Sequence, residues 1–162
     1  MTAPQPSGRA GRDAAWRTLA ELSVPSEPGN ERRATDEVAK AVSPLGLAPG
    51  RLEKLKTAVA EATMNAMEHG NRYRPESPVI IEVLASDEDL SVRITDEGES
   101  PVLSPESQDP DLEAKLEGLQ TPRGWGLFLI KNMVDEMRVT GDGAHHTVEL
   151  VLHLEDPERG GT

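Results

Sequence analysis

Side chains that could bind a metal or act as a base are concentrated in one short stretch, residues 61–71. Glu61 and Asn65 are four positions apart, so the helical period places both on one face, with His69 one turn further on. The amide oxygen of Asn65 suits a hard cation such as Mg²⁺, which it can share with phosphates and waters. The carboxylate of Glu61 is suited to orienting or deprotonating an attacking hydroxyl. The stretch therefore predicts a metal ligand and a base on one helix face.

A continuous helix through this stretch extends the polar face and adds an apolar one. The polar face then also contains Glu68 and Arg72, and the apolar stripe contains Leu52, Leu55, Val59 and Ala66. Gly70 and Asn71 are typical of a helix C-cap. An ordinary solvated helix face is the alternative interpretation, and a lone histidine such as His69 is more often a satisfied polar contact than a catalyst.

Two later stretches offer nucleotide-binding chemistry. Asp96-Glu97-Gly98 ends a strand-like alternation, and Gly124-Trp125-Gly126 opens an apolar helical pattern. Glycines at a helix start leave backbone N–H groups and the positive end of the helix dipole open to phosphate, and Arg123 adds a charge. The alternatives are an ordinary turn with Asp and Gly, and a glycine hinge that binds nothing.

Taken in order, the three stretches resemble the N, G1 and G2 boxes of the histidine-kinase-like (GHKL) ATPase superfamily. The first reads Glu61-x-x-x-Asn65-Ala-x-Glu-His69-Gly, which is the pattern of the anti-sigma factor serine/threonine protein kinase branch. The run Gly-x-Gly-Leu-Phe-Leu-Ile, followed by Met-Val-Asp-Glu-Met, is similar to the same branch. The resemblance covers about residues 16–154, and the ordered set of boxes is more specific than any one of them.

The resemblance assigns roles to the residues of the boxes. Asp96 is expected to accept a hydrogen bond from the adenine amino group, and Gly98 to let the backbone approach the base. Mg²⁺ is expected on Asn65. The remaining nucleotide-binding residues on this interpretation are His69, Arg123, Gly124, Gly126 and Thr147.

Two positions depart from the family pattern. Ser100 replaces the second glycine of the usual Asp-x-Gly-x-Gly, and His146 replaces a glycine that usually precedes the threonine at 147. His146, with His145 and His153, is expected to be structural, because no carboxylate or cysteine spacing around these histidines supports a metal site.

By resemblance, the function is that of an ATP-dependent protein serine/threonine kinase acting as an anti-sigma regulatory factor. Such a protein phosphorylates a STAS-type anti-sigma-factor antagonist, sequesters a sigma factor and forms a homodimer. The altered G1 box keeps open a non-catalytic, nucleotide-gated partner-switching module, against which the presence of Glu61 argues. The catalytic domain of a sensor histidine kinase is a weaker alternative, because those kinases usually carry Asn in place of Glu61.

Composition restricts the number of domains, the class of partner and the kinds of metal site that are possible. The 162 residues suffice for one domain with a real core, and a net charge of −12 argues against nucleic acid or an anionic membrane as the main partner. The absence of cysteine excludes disulfides and thiolate metal sites. No apolar run is long enough to span a bilayer, so we expect a cytoplasmic protein with no membrane association.

The patterning predicts an α+β, two-layer sandwich, with a mostly antiparallel sheet covered on one face by three helices, as in the Bergerat-type ATP-binding fold of the resembled family. Residues 1–14 are expected to be a disordered leader, 15–155 the ATPase domain with a lid at about 99–123, and 156–162 a flexible tail. The expected helices cover 31–42, with Asn30 as the N-cap, 49–70 and 127–137. The expected strands cover 16–24, 79–85, 90–95, 137–140 and 146–154, and the segment at 16–24 could instead be a helix.

Overall fold

The computed structural model describes residues 16–98 and 130–154. The expected leader at 1–14, the lid at about 99–123, the residues Arg123, Gly124 and Gly126, and the tail at 156–162 lie outside the described residues. Their predicted roles therefore stay predictions. Within the described ranges, no helix is both long and apolar enough to cross a membrane.

The described chain builds one five-stranded sheet and two α-helices. The elements are β1 (Arg17–Val24), α1 (Asn30–Val42), a 3₁₀ turn (Ser43–Leu45), α2 (Pro49–Asn65), a wide π-type turn (Ala66–Gly70), β2 (Val79–Ala85), β3 (Asp89–Asp96), β4 (Glu136–Gly141) and β5 (His146–His153). The strands run in the order β1-β2-β3-β5-β4, and every neighbouring pair is antiparallel. The predicted α+β class and antiparallel sheet are confirmed, although the described residues contain two α-helices where three were expected. The segment at 16–24 is a strand instead of a helix.

Aliphatic side chains join the helices to one face of the sheet. Helix α1 buries every fourth residue at Ala34, Val38 and Val42, which is the period of a helix with a single apolar stripe. Strands β2 and β3 contribute alternate residues to the same cluster, because successive strand side chains point to opposite faces. Burial of this aliphatic surface is the main force that holds the helices on the sheet.

Strand β3 lies in the middle of the sheet and is more deeply buried than its alternating sequence predicts. The pattern indicated one buried and one exposed face, yet Ser91 is fully buried on the face opposite Leu90 and Val92. Its hydroxyl donates a hydrogen bond to the Glu149 carboxylate at 2.7 Å, which satisfies the polar group there.

Helix α1 begins differently from the prediction. Gly29, with φ of 99°, is the N-cap, and no side chain caps the helix. The Asn30 side chain donates instead to the Pro25 carbonyl at 2.8 Å, and the Glu31 carboxylate accepts the Gly29 N–H at 2.8 Å. The prediction that Asn30 caps the helix is therefore wrong, because its amide is engaged by the preceding turn.

The helix predicted over 127–137 ends earlier than expected. Ile130 and Lys131 are helical, a turn follows, and Met137 belongs to β4. The Asp135 N–H donates to the Val151 carbonyl at 3.0 Å, so pairing with β5 has already replaced the helical hydrogen bonds at this point. Val134 and Met137 still pack on the core, from a turn and a strand.

Candidate functional site

Glu61 and Asn65 occupy the last two turns of α2, one turn apart. Buried neighbours on the same helix, including Ala58, Ala62 and Thr63, hold its other face against the core, so both polar side chains are half-buried at the edge of the packed layer. Burial raises the pKa of the Glu61 carboxyl, which moves it towards the range in which a carboxylate is an effective base.

The amide of Asn65 has a polar atom that the described protein does not satisfy. Its Nδ2 is buried and makes no hydrogen bond with any described residue. An unpaired buried amide is costly, and rotation of the group by 180° exchanges nitrogen and oxygen at that position. Such a group fits a ligand that supplies its missing partner.

The side chains near α2 suit a Mg²⁺ ion held by one protein oxygen better than a metal held by several protein ligands. No cluster of three or more His, Cys, Asp or Glu able to hold a metal exists within residues 16–98 and 130–154. Magnesium commonly binds through one protein oxygen, with phosphates and waters completing its shell. Asn65 is the residue here that could supply that oxygen.

The helix does not continue regularly beyond Asn65, which changes the predicted polar face. The Asn71 N–H donates to the Ala66 carbonyl at 2.8 Å, so this turn contains one residue more than an α-helical turn. Arg72 has left the helix with a positive φ of 52°, and its predicted place on the Glu61 face is wrong. His69 lies inside the wide turn, half-buried, with Nε2 3.6 Å from the Glu68 carboxylate.

Gly70 brings the end of this helix against Asp96. A Cβ at Gly70 would overlap the Asp96 carboxylate, and one at Gly98 would lie 2.8 Å from Asp96 Oδ1 and 3.0 Å from Gly70 Cα. Gly70 has no positive φ, so a helix cap is not what requires glycine there. Close approach requires it, and the first two sequence boxes are in direct contact as a result.

Asp96 is a buried carboxylate at the end of β3, with 8% of its surface exposed. The Gly98 N–H donates to its Oδ1 at 2.7 Å. Burial raises the pKa of Asp96, whereas the Gly98 hydrogen bond and then the nearby His146 and His145 lower it. The side chain is thus a buried carboxylate that packs against two glycines and accepts the Gly98 N–H.

Asn71, which the sequence presented only as a helix stop, organises the loops around the site. Its Nδ2 donates to the carbonyls of Ser77 and Pro78 at 2.8 and 3.1 Å and lies 3.0 Å from Ser26 Oγ. Its Oδ1 accepts the Glu97 N–H at 2.7 Å. One buried amide therefore ties the turn after Asp96 to the helix end and to two other loops. No local signal marks this role, because the contacts join distant segments.

Thr147 is not placed beside Asp96. Its cross-strand partner is Thr95, to which it is hydrogen bonded at 2.8 Å, and His146 is the residue paired with Asp96. Since strand side chains alternate between faces, Thr147 points to the face of the sheet opposite Asp96. The nucleotide-binding role of Thr147 stays a prediction, and His146, expected to be structural, is the residue opposite Asp96.

Chemically, these elements combine three functions around the end of α2. Asn65 offers an unsatisfied amide, Glu61 offers a carboxylate with a raised pKa, and Asp96 offers a carboxylate packed against Gly70 and Gly98. Together they can bind a metal-associated polyphosphate, read a base and act on a hydroxyl.

Comparison with known proteins places this arrangement among nucleotide-binding domains. Residues 24–152 match the family model described as a histidine kinase-like ATPase domain. An anti-sigma F factor of Oceanobacillus iheyensis is 30% identical over 118 residues, covering 73% of this chain and 80% of the relative. The serine-protein kinase RsbW of Bacillus subtilis is 29% identical over 121 residues, covering 74% of this chain and 76% of the relative.

Solved structures show the same fold. The crystal structure of RsbU and RsbW domains from Mycobacterium tuberculosis superposes with a TM-score of 0.60 and 16% identity, covering 85% of this chain and 33% of that one. The SiaB–SiaC complex of Pseudomonas aeruginosa contains a chain with a TM-score of 0.61 and 15% identity, covering 84% of this chain and 90% of that one.

Proposed function

This chain belongs to the histidine kinase-like ATPase family, and from that premise we propose that it is an ATP-dependent protein serine/threonine kinase acting as an anti-sigma regulatory factor. The observation that carries the kinase proposal is the pair on α2: Glu61, a carboxylate with a raised pKa, stands one turn before the unsatisfied amide of Asn65. A protein that only bound nucleotide would have no need of a base at that position.

In the proposed mechanism, each described residue has one task. Asp96 accepts a hydrogen bond from the adenine amino group, and Gly70 and Gly98 let its carboxylate lie directly against the backbone. Asn65 holds Mg²⁺, which when bound neutralises phosphate charge. Glu61 orients the incoming serine hydroxyl and accepts its proton as the phosphoryl group is transferred.

Residues with less structural support complete the proposed nucleotide site. Arg123, Gly124 and Gly126 are proposed to cradle the phosphates, on the strength of their sequence pattern alone. His69 is proposed to lie near the ribose or phosphates, in keeping with its place in the turn after α2. Thr147 keeps only an indirect role, through Thr95 at the end of β3.

The proposed partners come from the names of the relatives. Proteins called anti-sigma F factor and serine-protein kinase RsbW support a sigma factor as the sequestered partner and a serine on a STAS-domain antagonist as the phosphate acceptor. The SiaB–SiaC complex supports partner switching by a domain of this fold. By the same resemblance we propose a homodimer.

Substitution of Glu61 and of Asn65 separates proton acceptance from metal binding. Asn65→Ala should lose Mg-ATP binding and phosphoryl transfer together, because it removes the metal ligand. Glu61→Gln keeps the shape and hydrogen bonding but removes the base, and we expect it to bind Mg-ATP normally and transfer phosphate at least about 100-fold more slowly. A radiolabel transfer assay to a panel of purified STAS domains, beside an ATP titration, measures both quantities.

The outcomes distinguish the candidate functions. Transfer by Glu61→Gln at the parental rate would remove Glu61 from the mechanism. If the parent binds Mg-ATP and captures a partner protein but labels none of the STAS domains, the non-catalytic, nucleotide-gated partner-switching module is the better description.

A further inference from the structure

His146 stands directly opposite Asp96 in the sheet, at the position where the family pattern has a glycine. The two residues are cross-strand partners in the β3–β5 pairing, so their side chains share one face. His146 Nδ1 lies 3.5 Å from Asp96 Oδ1, and only 14% of the His146 side chain is exposed. A glycine could make no contact of this kind with the carboxylate.

The hairpin between β4 and β5 fixes the position of His146. Asp142 accepts the N–H groups of Ala144 and His145 at 2.9 and 2.7 Å, and these hydrogen bonds lower the pKa of its carboxyl. Gly143 provides the positive φ of 89° that the turn requires. His146 is the first residue of β5 after this turn, and it is paired with Gly141 of β4 on one side and Asp96 of β3 on the other.

Within residues 16–98 and 130–154, the charged or titratable side chains that act on Asp96 are two histidines. His146 faces it from β5, and His145, from the hairpin, is more remote, with its side chain 52% exposed and 3.6 Å from Asp142. The wide turn packs an uncharged residue, Gly70, against the carboxylate, and Glu97 on its own strand end is exposed. Burial drives Asp96 towards the protonated form, and the Gly98 hydrogen bond and the two histidines oppose that tendency.

We propose that His146 is a positioning residue for base recognition, which holds Asp96 as an oriented carboxylate and thereby selects adenine over guanine. The proposal rests on the nucleotide site of the proposed function. A carboxylate can only accept hydrogen bonds, which matches the amino group of adenine. A protonated carboxyl can donate one, which matches the carbonyl that guanine carries at the same ring position. Without His146, Asp96 becomes protonated more readily, and discrimination between the bases weakens as pH falls.

Calorimetric titration with ADP and with GDP at several pH values between about 5 and 8 tests the proposal. In His146→Gln, the pH at which ADP affinity halves should rise by about one unit, since an adjacent opposite charge lowers a carboxyl pKa by about 1–3 units. The preference for ADP over GDP should fall about tenfold or more near the acid end of the range. His146→Lys, which restores a positive charge, should recover the parental profile.

His145→Gln is the matched control, because it removes a neighbouring imidazole that lies 3.6 Å from Asp142, and its profile should shift less than that of His146→Gln. Thermal melts establish that each variant is folded. Superimposable pH profiles and equal ADP-to-GDP ratios in parent and His146→Gln would overturn the role of His146 while leaving the nucleotide site intact. Failure of the parent to bind ADP at any pH would overturn the proposed function itself, and this inference with it.

Discussion

At the scale of single residues, Asp96 combines a proposed role in adenine binding with burial of a titratable group. Its burial raises its pKa, so the folded protein binds the proton more tightly than the unfolded chain does. The unfolding free energy contributed by this group therefore falls as pH rises from the unfolded pKa through the folded one. The group therefore stabilises the fold less at neutral pH than in acid.

Asp96→Asn should accordingly separate stability from binding. The amide can still accept the Gly98 hydrogen bond but carries no charge, so the nucleotide-free variant should be at least as stable as the parent at neutral pH. ATP affinity should fall about 10- to 100-fold, since a hydrogen bond to a charged group contributes about 1.5–3 kcal/mol. Urea unfolding and calorimetry on the same preparations measure the two effects. Equal ATP affinity in both proteins would contradict the assignment of Asp96 to adenine.

At the scale of elements, the wide turn after α2 is what brings the first two boxes together. It interrupts the α-helical hydrogen bonds after Asn65, and the chain leaves it through Arg72 and Tyr73, both with positive φ. Gly70 then lies against the Asp96 carboxylate. Wide turns of this type are frequent at functional sites, and here the turn sets the distance between helix and strand.

Two glycine substitutions test the importance of that close approach. Gly70→Ala should cost about 1–3 kcal/mol in unfolding free energy, as overpacking does, and should weaken ATP binding at least about tenfold by displacing Asp96. Gly50→Ala is the matched control within α2, because a Cβ there meets nothing within 4 Å. It should be neutral or stabilising by up to about 1 kcal/mol, with unchanged ATP affinity. Unchanged stability and ATP affinity in Gly70→Ala would show that the turn does not constrain Asp96.

At the scale of the whole molecule, a polar cluster joins the helix layer to the sheet at the end away from Asp96. Arg51, in the first turn of α2, donates to the His153 carbonyl and to the Asp135 carboxylate, both at 2.7 Å. The same carboxylate accepts the His153 N–H at 2.7 Å, and His153 Nδ1 lies 2.7 Å from fully buried Asp89. The start of β3, the end of β5 and the approach to β4 are thus connected to α2 by charge-assisted hydrogen bonds.

Loss of Arg51 should therefore destabilise the fold without affecting the nucleotide site. Arg51→Ala removes the two hydrogen bonds that the partly exposed Arg51 side chain donates. We expect a loss of about 1–2 kcal/mol in unfolding free energy. Lys56→Ala, which removes only an exposed i,i+3 pair with Glu53, should change it by less than about 0.5 kcal/mol. Chemical denaturation compares the two variants. Equal effects from both would show that the cluster contributes no more than a surface ion pair.

The sequence by itself determined the features that depend on neighbouring residues. Helical periodicity predicted that Glu61 and Asn65 lie one turn apart. A continuous apolar run predicted β2, and alternation of apolar residues predicted β5. The ordered boxes predicted the family, which the comparison with known proteins confirmed over residues 24–152. These features are encoded locally, because turns of helix and pleats of strand repeat over a few residues.

Only the tertiary structure decided the features that depend on segments far apart in the chain. The register of β3 with β5 places His146, and not Thr147, opposite Asp96, and a shift by one residue would exchange their faces. The buried amide of Asn71 reaches Ser26, 45 positions away, and Gly70 is needed because Asp96 approaches it, not because of its own φ. The helix predicted over 127–137 ends early because β5 competes for its backbone at Asp135. In each case the local sequence allows alternative hydrogen-bond and packing partners of similar free energy. The partner that gives the assembled sheet and core the lowest free energy is the one adopted.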